Sequence, residues 1–414
     1  MTGSLSQASK SSRILTPRTD KALEANLREA LAALLGAERD LRDAIAPITN
    51  HRVAVDEVNR SAKALAGALW EVEREGPQRV ERIAVFLPSN NALYSYVLFG
   101  LIPALYCEEV VLRPSQRISC ITKEVHCVLQ DVLPKSLAER LRLLHNASQR
   151  EFVESLCYQA SAVVFTGQPE NARSVAAKLP SDQLFLAFGS GPNPLVIGER
   201  ANPQAALSQA IRGRLYNAGQ DCLCSDVIFV NRAIAEPFID DLVSHVAGVE
   251  VLDRDHPEAI VTPLVYQDAV EDAADFIQAN SHRVLVGGRV NRNTSVVEPT
   301  VIETELSPKF CPPEFFSPVF LVAKYDDWED VQNWLQTPRE IGRGMYLSLL
   351  GVPDVSQGIV GTSVVCHGMT PFDVEDGNRP FGGFGTEASA VSNRGEWHGR
   401  PLLLSAEIAS WQRR

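Results

Sequence analysis

Apolar residues recur at helical spacing in two stretches near the start of the chain. Leu23, Leu27, Leu31, Leu34 and Leu35 mark the first, which ends before Pro47. Val55, Val58, Ala62, Leu65, Leu69 and Val72 mark the second, which ends before Gly76-Pro77. Each stripe predicts a helix that packs by one face onto a core or a partner helix. From Arg82 the pattern changes to short apolar runs separated by helical stretches: Ile83 to Leu87, Val110 to Leu112, Ala162 to Phe165 and Leu184 to Phe188. The same pattern returns after Cys222 with Val227 to Val230, Val284 to Val286, Val319 to Val322 and Tyr346 to Leu349. Strands apolar on both faces belong to parallel sheets covered by helices, so this alternation predicts an α/β fold of two lobes with a cleft between them. Residues 1–18 read as a disordered tail, and no internal repeat is visible.

Composition narrows the function classes. A chain of 414 residues, 45% hydrophobic and 22% charged, is ordinary globular material with room for two or three domains. A formal net charge of -12, with no basic stripe interleaved with aromatics, argues against a nucleic-acid partner. No apolar run approaches the ~20 residues that span a bilayer, and Met1 to Lys10 lacks a hydrophobic signal core, so a cytoplasmic protein is expected. The eight cysteines are scattered and read as reduced and mostly buried. Cys222 and Cys224 are separated by a single residue and have no clustered histidines, so no metal site is expected and Cys224 reads as a packing residue.

Cys222 is different. It closes the polar turn Asn217-Ala218-Gly219-Gln220-Asp221-Cys222 between apolar segments, a placement that presents a single thiol. A thiolate attacks carbonyl carbon to give a thiohemiacetal or thioester, so the turn points to aldehyde or acyl chemistry.

This turn resembles the active-site cysteine signature of the aldehyde dehydrogenase superfamily, and other segments resemble the family in the family's order. They are Pro88-Ser89-Asn90-Asn91, Pro103-Ala104-Leu105, Val110 through Gln116, Phe165-Thr166-Gly167, Pro299-Thr300, Pro313 through Val319, and Pro380 through Gly385. The resemblance spans roughly residues 80–390 and implies two Rossmann-like lobes. On that basis 19–215 is expected to hold the N-terminal helices and an NAD(P)-binding domain, and 216–390 the catalytic domain with the cysteine. The segment 391–414 is expected to return, with Pro401-Leu402-Leu403-Leu404-Ser405 as a strand able to pair across a homodimer.

The resemblance also implies roles. Asn90 aligns with the family's oxyanion asparagine, with Asn91 as the fallback if the register slips, and the backbone N–H of Cys222 would be the second donor. Glu314 matches the glutamate that holds the nicotinamide ribose, and Phe316 the aromatic of the same pocket. Arg113, Pro114, Ser115 and Gln116 match the segment near the adenosine ribose; Arg113 stands where a lysine is usual and Gln116 where an acid is frequent, which leans the cofactor toward NADP over NAD. Thr166 and Gly167 would let the pyrophosphate approach a helix N-terminus, although Gln168, Pro169 and Ala172 depart from the family pattern there. Gly189-Ser190-Gly191-Pro192 lacks the last glycine of a dinucleotide fingerprint.

One departure changes the expected reaction. Hydrolytic members place a glutamate at the start of this stretch, as base toward the water that cleaves the thioester; here stand Ala187 and Phe188. The reading is therefore interconversion of an aldehyde and an acyl thioester, carried by coenzyme A or a carrier protein. Two alternatives stay open: oxidation to carboxylate with another base such as His367, or an inactive member serving as a scaffold. Asp221 would raise the thiol pKa if close, and is expected to point elsewhere.

Overall fold

The computed structural model describes residues 21–352 and 355–413, so the expected tail at 1–18 lies outside the described residues. Both apolar stripes are helical: α1 (Lys21–Gly36) and α2 (Glu38–Ile45) cover the first, and α3 (His51–Glu75) the second. The side chain of Asn50 caps α3 by accepting from the Val53 N–H. Gly76 ends it at φ 64, a left-handed conformation that favours glycine. Along α3, Val58, Ala62 and Leu65 are buried as the stripe requires, but so are Glu57, Ser61 and Glu71 on the same side. Of these, Glu71 lines the cleft described below and Glu57 holds the backbone just after Asn90-Asn91.

Among the described residues seventeen strands follow. β1 (Val80–Phe86), β2 (Cys107–Arg113), β3 (Leu141–Leu143), β4 (Ala162–Thr166) and β5 (Leu184–Phe188) run parallel in one sheet. β6 (Leu195–Ile197), β7 (Ile228–Asn231) and β8 (Val284–Val286) begin a second, and β9 (Val290–Asn291) with β10 (Val296–Val297) forms a separate hairpin. β11 (Thr300–Glu305), β12 (Val319–Tyr325), β13 (Tyr346–Leu350), β14 (Ile359–Val360) and β15 (Ser363–His367) complete the second sheet, in the order β14-β15-β13-β6-β7-β12-β11-β8. β16 (Ser389–Asn393) and β17 (Glu396–Gly399) return to the first, giving β17-β16-β5-β4-β1-β2-β3. Helices α1, α2 and α3 share one core with one face of the first sheet, around Leu34, Leu65, Val85 and Leu112. The opposite face packs Phe86, Phe152 and Phe165. The fold is thus α/β with two mostly parallel sheets, as expected.

Two boundaries differ from the sequence reading. The second sheet starts at Leu195, well before 216, because the chain leaves β5 and crosses at 189–194 to pair β6 with β13 and β7. The crossover was invisible because β6 is only Leu195-Val196-Ile197, too short to register as a run. The C-terminal expectation is also corrected. Leu402 bridges Phe381 of its own chain, and Leu404–Gln412 is a helix whose Leu404 and Ile408 join the first core. The homodimer expectation loses the segment on which it was built. No helix among the described residues is long and apolar enough to cross a membrane.

Candidate active site

The cysteine turn is strained and held from below. Asn217 (φ 48), Ala218 (φ 55) and Gly219 (φ 83) all adopt positive φ, and a Cβ on Gly219 would meet the Ser317 carbonyl at 2.3 Å. What fixes this backbone is Arg214, fully buried at the end of the helix Pro203–Leu215. Its guanidinium pairs with Asp226 at 2.6 Å and donates to the carbonyls of Gly219 (2.8 Å), Ser225 (3.0 Å) and Phe315 (2.9 Å). Asp226 in turn accepts from the Phe315 N–H at 2.8 Å. One ion pair therefore ties the cysteine turn to the loop carrying Glu314 and Phe316. From the crossover, Asn193 donates to the Cys222 carbonyl at 2.7 Å.

Above this floor lies a cleft of about 880 Å³. Its walls include Asn90, Asn91, Ser115, Thr166, Gly167, Cys222, Glu314 and Phe316, so residues more than 200 positions apart in sequence share one space. Arg113, Pro114 and Gln116 are not among its walls. Arg113 turns away, donating from Nε to the Ala147 carbonyl at 3.1 Å with its guanidinium over the Phe86 ring, and burial lowers its pKa. The phosphate contact read from Arg113 is therefore corrected. Arg117, one turn later, does line the cleft, where it forks onto Asp268 at 3.0 and 2.6 Å.

Cys222 retains some exposure to the cleft, yet the surrounding protein raises its thiol pKa well above the ordinary value, first through desolvation and then through Asp221. The expectation that Asp221 points elsewhere is corrected: it is a cleft wall, buried, accepting from the Leu223 N–H at 2.8 Å and from Asn91 at 2.9 Å. Among the charges acting on the thiol, Arg60 of α3 is the one that lowers it. Asn90 makes one long contact, donating to the Gln220 carbonyl at 3.5 Å, which leaves its amide lightly held. Glu314 is already engaged, accepting from Ser190 at 2.5 Å and from the buried Arg343 at 3.1 Å. His367 is exposed on β15, beside the Gln357 carbonyl at 3.1 Å, and is not a cleft wall.

Glu57 was missed because its importance comes from tertiary placement; the legible signal was a carboxylate inside an apolar stripe. Fully buried, it accepts from the N–H groups of Leu93 (2.8 Å) and Tyr94 (3.1 Å) in the first turn after Asn90-Asn91. Desolvation pushes its pKa from 4.5 to about 7, against the opposing pull of those two N–H groups and Arg60. Folding thus takes up a proton between these values, so this group's contribution is fully present below about 4.5 and is lost as pH rises to about 7. The loss amounts to roughly 3 kcal/mol. Glu57→Gln keeps the acceptor and removes the charge, so its thermal midpoint should gain on the native chain at pH 8 relative to pH 5. Parallel pH curves for the two proteins would refute the assignment.

Two mostly parallel sheets with Cys222 on the wall of a shared cleft frame the site, and comparison with known proteins gives the family. The chain belongs to the aldehyde dehydrogenase family, whose model matches residues 81–337. It is similar to the lactaldehyde dehydrogenase of Methanococcus aeolicus, 23% identical over 232 residues. That match takes in 54% of this chain and 49% of the relative, so the chain spans about half of that protein's length. An NADP(+) succinate-semialdehyde dehydrogenase 1 of Mycobacterium bovis is 26% identical over 412 residues, 93% of this chain and 84% of the relative. Among solved structures, the glyceraldehyde-3-phosphate dehydrogenase GapN of Methanocaldococcus jannaschii complexed with NADP superimposes with a TM-score of 0.78 at 17% identity. That superposition takes in 94% of this chain and 87% of the other. At that identity the likeness speaks for the fold alone.

Proposed function

We propose that this protein interconverts an aldehyde and an acyl thioester through covalent attachment to Cys222, with NAD or NADP as hydride carrier. The observation that carries the reading is Ala187, a buried apolar residue where the resemblance puts the hydrolytic base, behind the cleft wall on which its neighbour Phe188 lies. Neither side chain accepts a proton, and His367 lies away from the cleft, so water has no activating group at the usual place. A thioester left unhydrolysed is available to an external thiol.

The walls fit a dinucleotide at the end nearest the thiol. Glu314 and Phe316 face the same cleft as Cys222, and Gly167 (φ 140) leaves the strand-to-helix turn without a side chain. At the turn itself the fit is weaker, since the helix Pro169–Ala176 begins with a proline that has no N–H and carries Glu170 in its first turn. Glu314, Phe316, Ser115, Thr166 and Gly167 would hold the group, and Arg117 replaces Arg113 as the cation on that wall. Arg113, turned away, gives no phosphate contact here, and the carrier is NAD or NADP. When bound, the nicotinamide exchanges hydride with the carbonyl carbon, so that aldehyde, thiol and oxidised carrier give thioester, reduced carrier and one proton.

The chain's own residues handle the remaining steps. The Cys222 thiol loses its proton to solvent and the thiolate attacks the carbonyl carbon, forming a C–S bond as the C=O π pair moves onto the oxygen, which becomes an anion. Asn90 and the Cys222 N–H would donate to that oxygen, and both residues line the cleft. Transfer of the acyl group to an incoming thiolate breaks the bond to Cys222 and restores its thiolate. Product analysis tests the reading: with aldehyde and NAD(P), acyl thioester should form only when coenzyme A or another thiol is added. Equal yields of free acid with and without thiol would overturn it.

A second measurement addresses the missing base. Ala187→Glu should divert acyl product from thioester to free acid by tenfold or more, within the 10²–10⁴ range of a positioned base. Chromatography of the two products after single turnover reads the ratio, and an unchanged ratio in a folded variant would count against the role given to this position.

A further inference from the structure

Asn90 and Asn91 sit on the link between β1 and the helix Ala92–Tyr96, where Asn91 stands at φ 50, a left-handed conformation uncommon outside glycine. Three bonds tie this link to the cysteine turn and the segment beside it. Asn91 Nδ2 donates to Asp221 Oδ2 at 2.9 Å, Asn90 Nδ2 to the Gln220 carbonyl at 3.5 Å, and the Tyr266 hydroxyl to the Ser89 carbonyl. From the opposite side comes α3. There Glu57 Oε1 accepts from the N–H groups of Leu93 at 2.8 Å and Tyr94 at 3.1 Å, first-turn donors that no carbonyl of their own helix can reach. Glu57 Oε2 is buried without a partner, so among the described residues the carboxyl bonds only those two N–H groups. A fully buried carboxyl is a costly way to cap one turn, and costs of this kind concentrate where position matters for function. The charges acting on Glu57 are Arg60 of its own helix and Asp221 of the cysteine turn; Tyr266 feels Glu57 in turn, and the Tyr94 hydroxyl donates to Glu375.

We propose that Glu57 is a positioning residue of this site: by accepting from Leu93 and Tyr94 it holds the Asn90-Asn91 link in register with the cysteine turn, so that the Asn90 amide meets the oxygen of a carbonyl bound at Cys222 and Asn91 stays on Asp221. The inference rests on the reading of Cys222 as the acyl acceptor and adds a residue that acts through two backbone N–H groups. Asn90 depends on this support because its one contact is long, so the backbone of the link sets the direction of its amide. Asn91 depends on it for another reason. With the Leu223 N–H on Oδ1 and Asn91 on Oδ2, each oxygen of Asp221 has a donor, which lessens the repulsion that this carboxylate exerts on a thiolate at Cys222.

Two substitutions separate acceptor from charge: Glu57→Leu removes both, and Glu57→Gln keeps an oxygen for the two N–H groups. In a folded Glu57→Leu chain, kcat for thioester formation from aldehyde should fall about 10²-fold, the cost of a misplaced group, while KM changes by less than about threefold. Glu57→Gln at pH 6 should restore kcat to within about threefold of the native value. A charge on Glu57 opposes the anion forming at Asn90, and the native carboxyl loses its proton near 7, so kcat of the native chain relative to Glu57→Gln should drop about threefold between pH 6 and pH 8. Amide exchange read by mass spectrometry needs no turnover. Residues 90–96 should exchange about tenfold faster in Glu57→Leu and at the native rate in Glu57→Gln. Equal kcat in native and folded Leu chains, a Gln variant as slow as Leu, a native-to-Gln ratio that ignores pH, or unchanged exchange at 90–96 in the Leu variant would each overturn the proposal. Should Glu57→Leu fail to fold, the pH dependence of the native-to-Gln ratio decides alone. Absence of any acyl adduct on native Cys222 would overturn the catalytic reading instead, and the exchange rates would still decide whether Glu57 holds the link.

Discussion

Replacing Cys222 by alanine is expected to abolish covalent capture of acyl groups and to lower hydride transfer by on the order of 10³-fold or more. The argument is positional. The sulfur is the one nucleophile on the turn that opens to the cleft, and Cys224, two residues on, is buried with its thiol toward the Tyr216 carbonyl at 3.7 Å. Burial and Asp221 both oppose ionisation of Cys222, so a sizeable part of its reactivity must come from the bound substrate and from Arg60 rather than from a resting thiolate. Mass spectrometry after incubation with an acyl thioester should therefore show one adduct, on Cys222, in the native chain and none in Cys222→Ala. Adduct in both proteins, at another cysteine, would remove the foundation of the mechanism. Exposed Cys120, Cys127 and Cys311 serve as internal controls for adventitious labelling.

The second large effect is on stability. Arg214→Met should cost about 3–5 kcal/mol, the range for breaking a buried ion pair by removing one partner. Three carbonyls would lose their donor at once, and Asp226 would be left buried without its cation. Even with Arg214 present, desolvation holds the Asp226 carboxyl at about 7. Without the cation its folded pKa rises further above the ordinary carboxylate value, so the variant should lose stability as pH rises, and more steeply than the native chain. Differential scanning calorimetry should show a midpoint lowered by roughly 5 °C. Adding Asp226→Asn should recover part of the loss. A variant as stable as the native chain would show that the cysteine turn is held by other means.

Much of the fold was legible because its central strands are apolar on both faces. Val319 to Val322 and Leu184 to Phe188 stand out as runs, and the end of α3 is written in Gly76-Pro77. What escaped had other reasons. β11 mixes Thr300, Glu303 and Glu305 into its length, and β16 is Ser-Ala-Val-Ser-Asn, so neither reads as a buried strand. In the site, Cys222, Asn90, Glu314, Phe316, Ser115, Thr166 and Gly167 were found from ordered motifs and do line one cleft. Arg113 failed because side-chain direction at a strand end depends on what the neighbouring loop offers, here the Ala147 carbonyl. Arg60, Arg214 and Arg343 could not be singled out, since a charged residue in a helix reads as a solvated face until packing buries it.

The link at 189–194 touches both halves of the chemistry: Ser190 holds the Glu314 carboxylate and Asn193 holds the Cys222 carbonyl. Its glycines admit no enlargement, for a Cβ on Gly189 would stand 2.1 Å from the Glu387 oxygen and one on Gly191 2.4 Å from that of Arg343. Should the two halves of the molecule pivot as ligands come and go, sulfur and carboxylate are moored to the same short tether and travel together, so their mutual spacing survives a motion that would otherwise pull them apart.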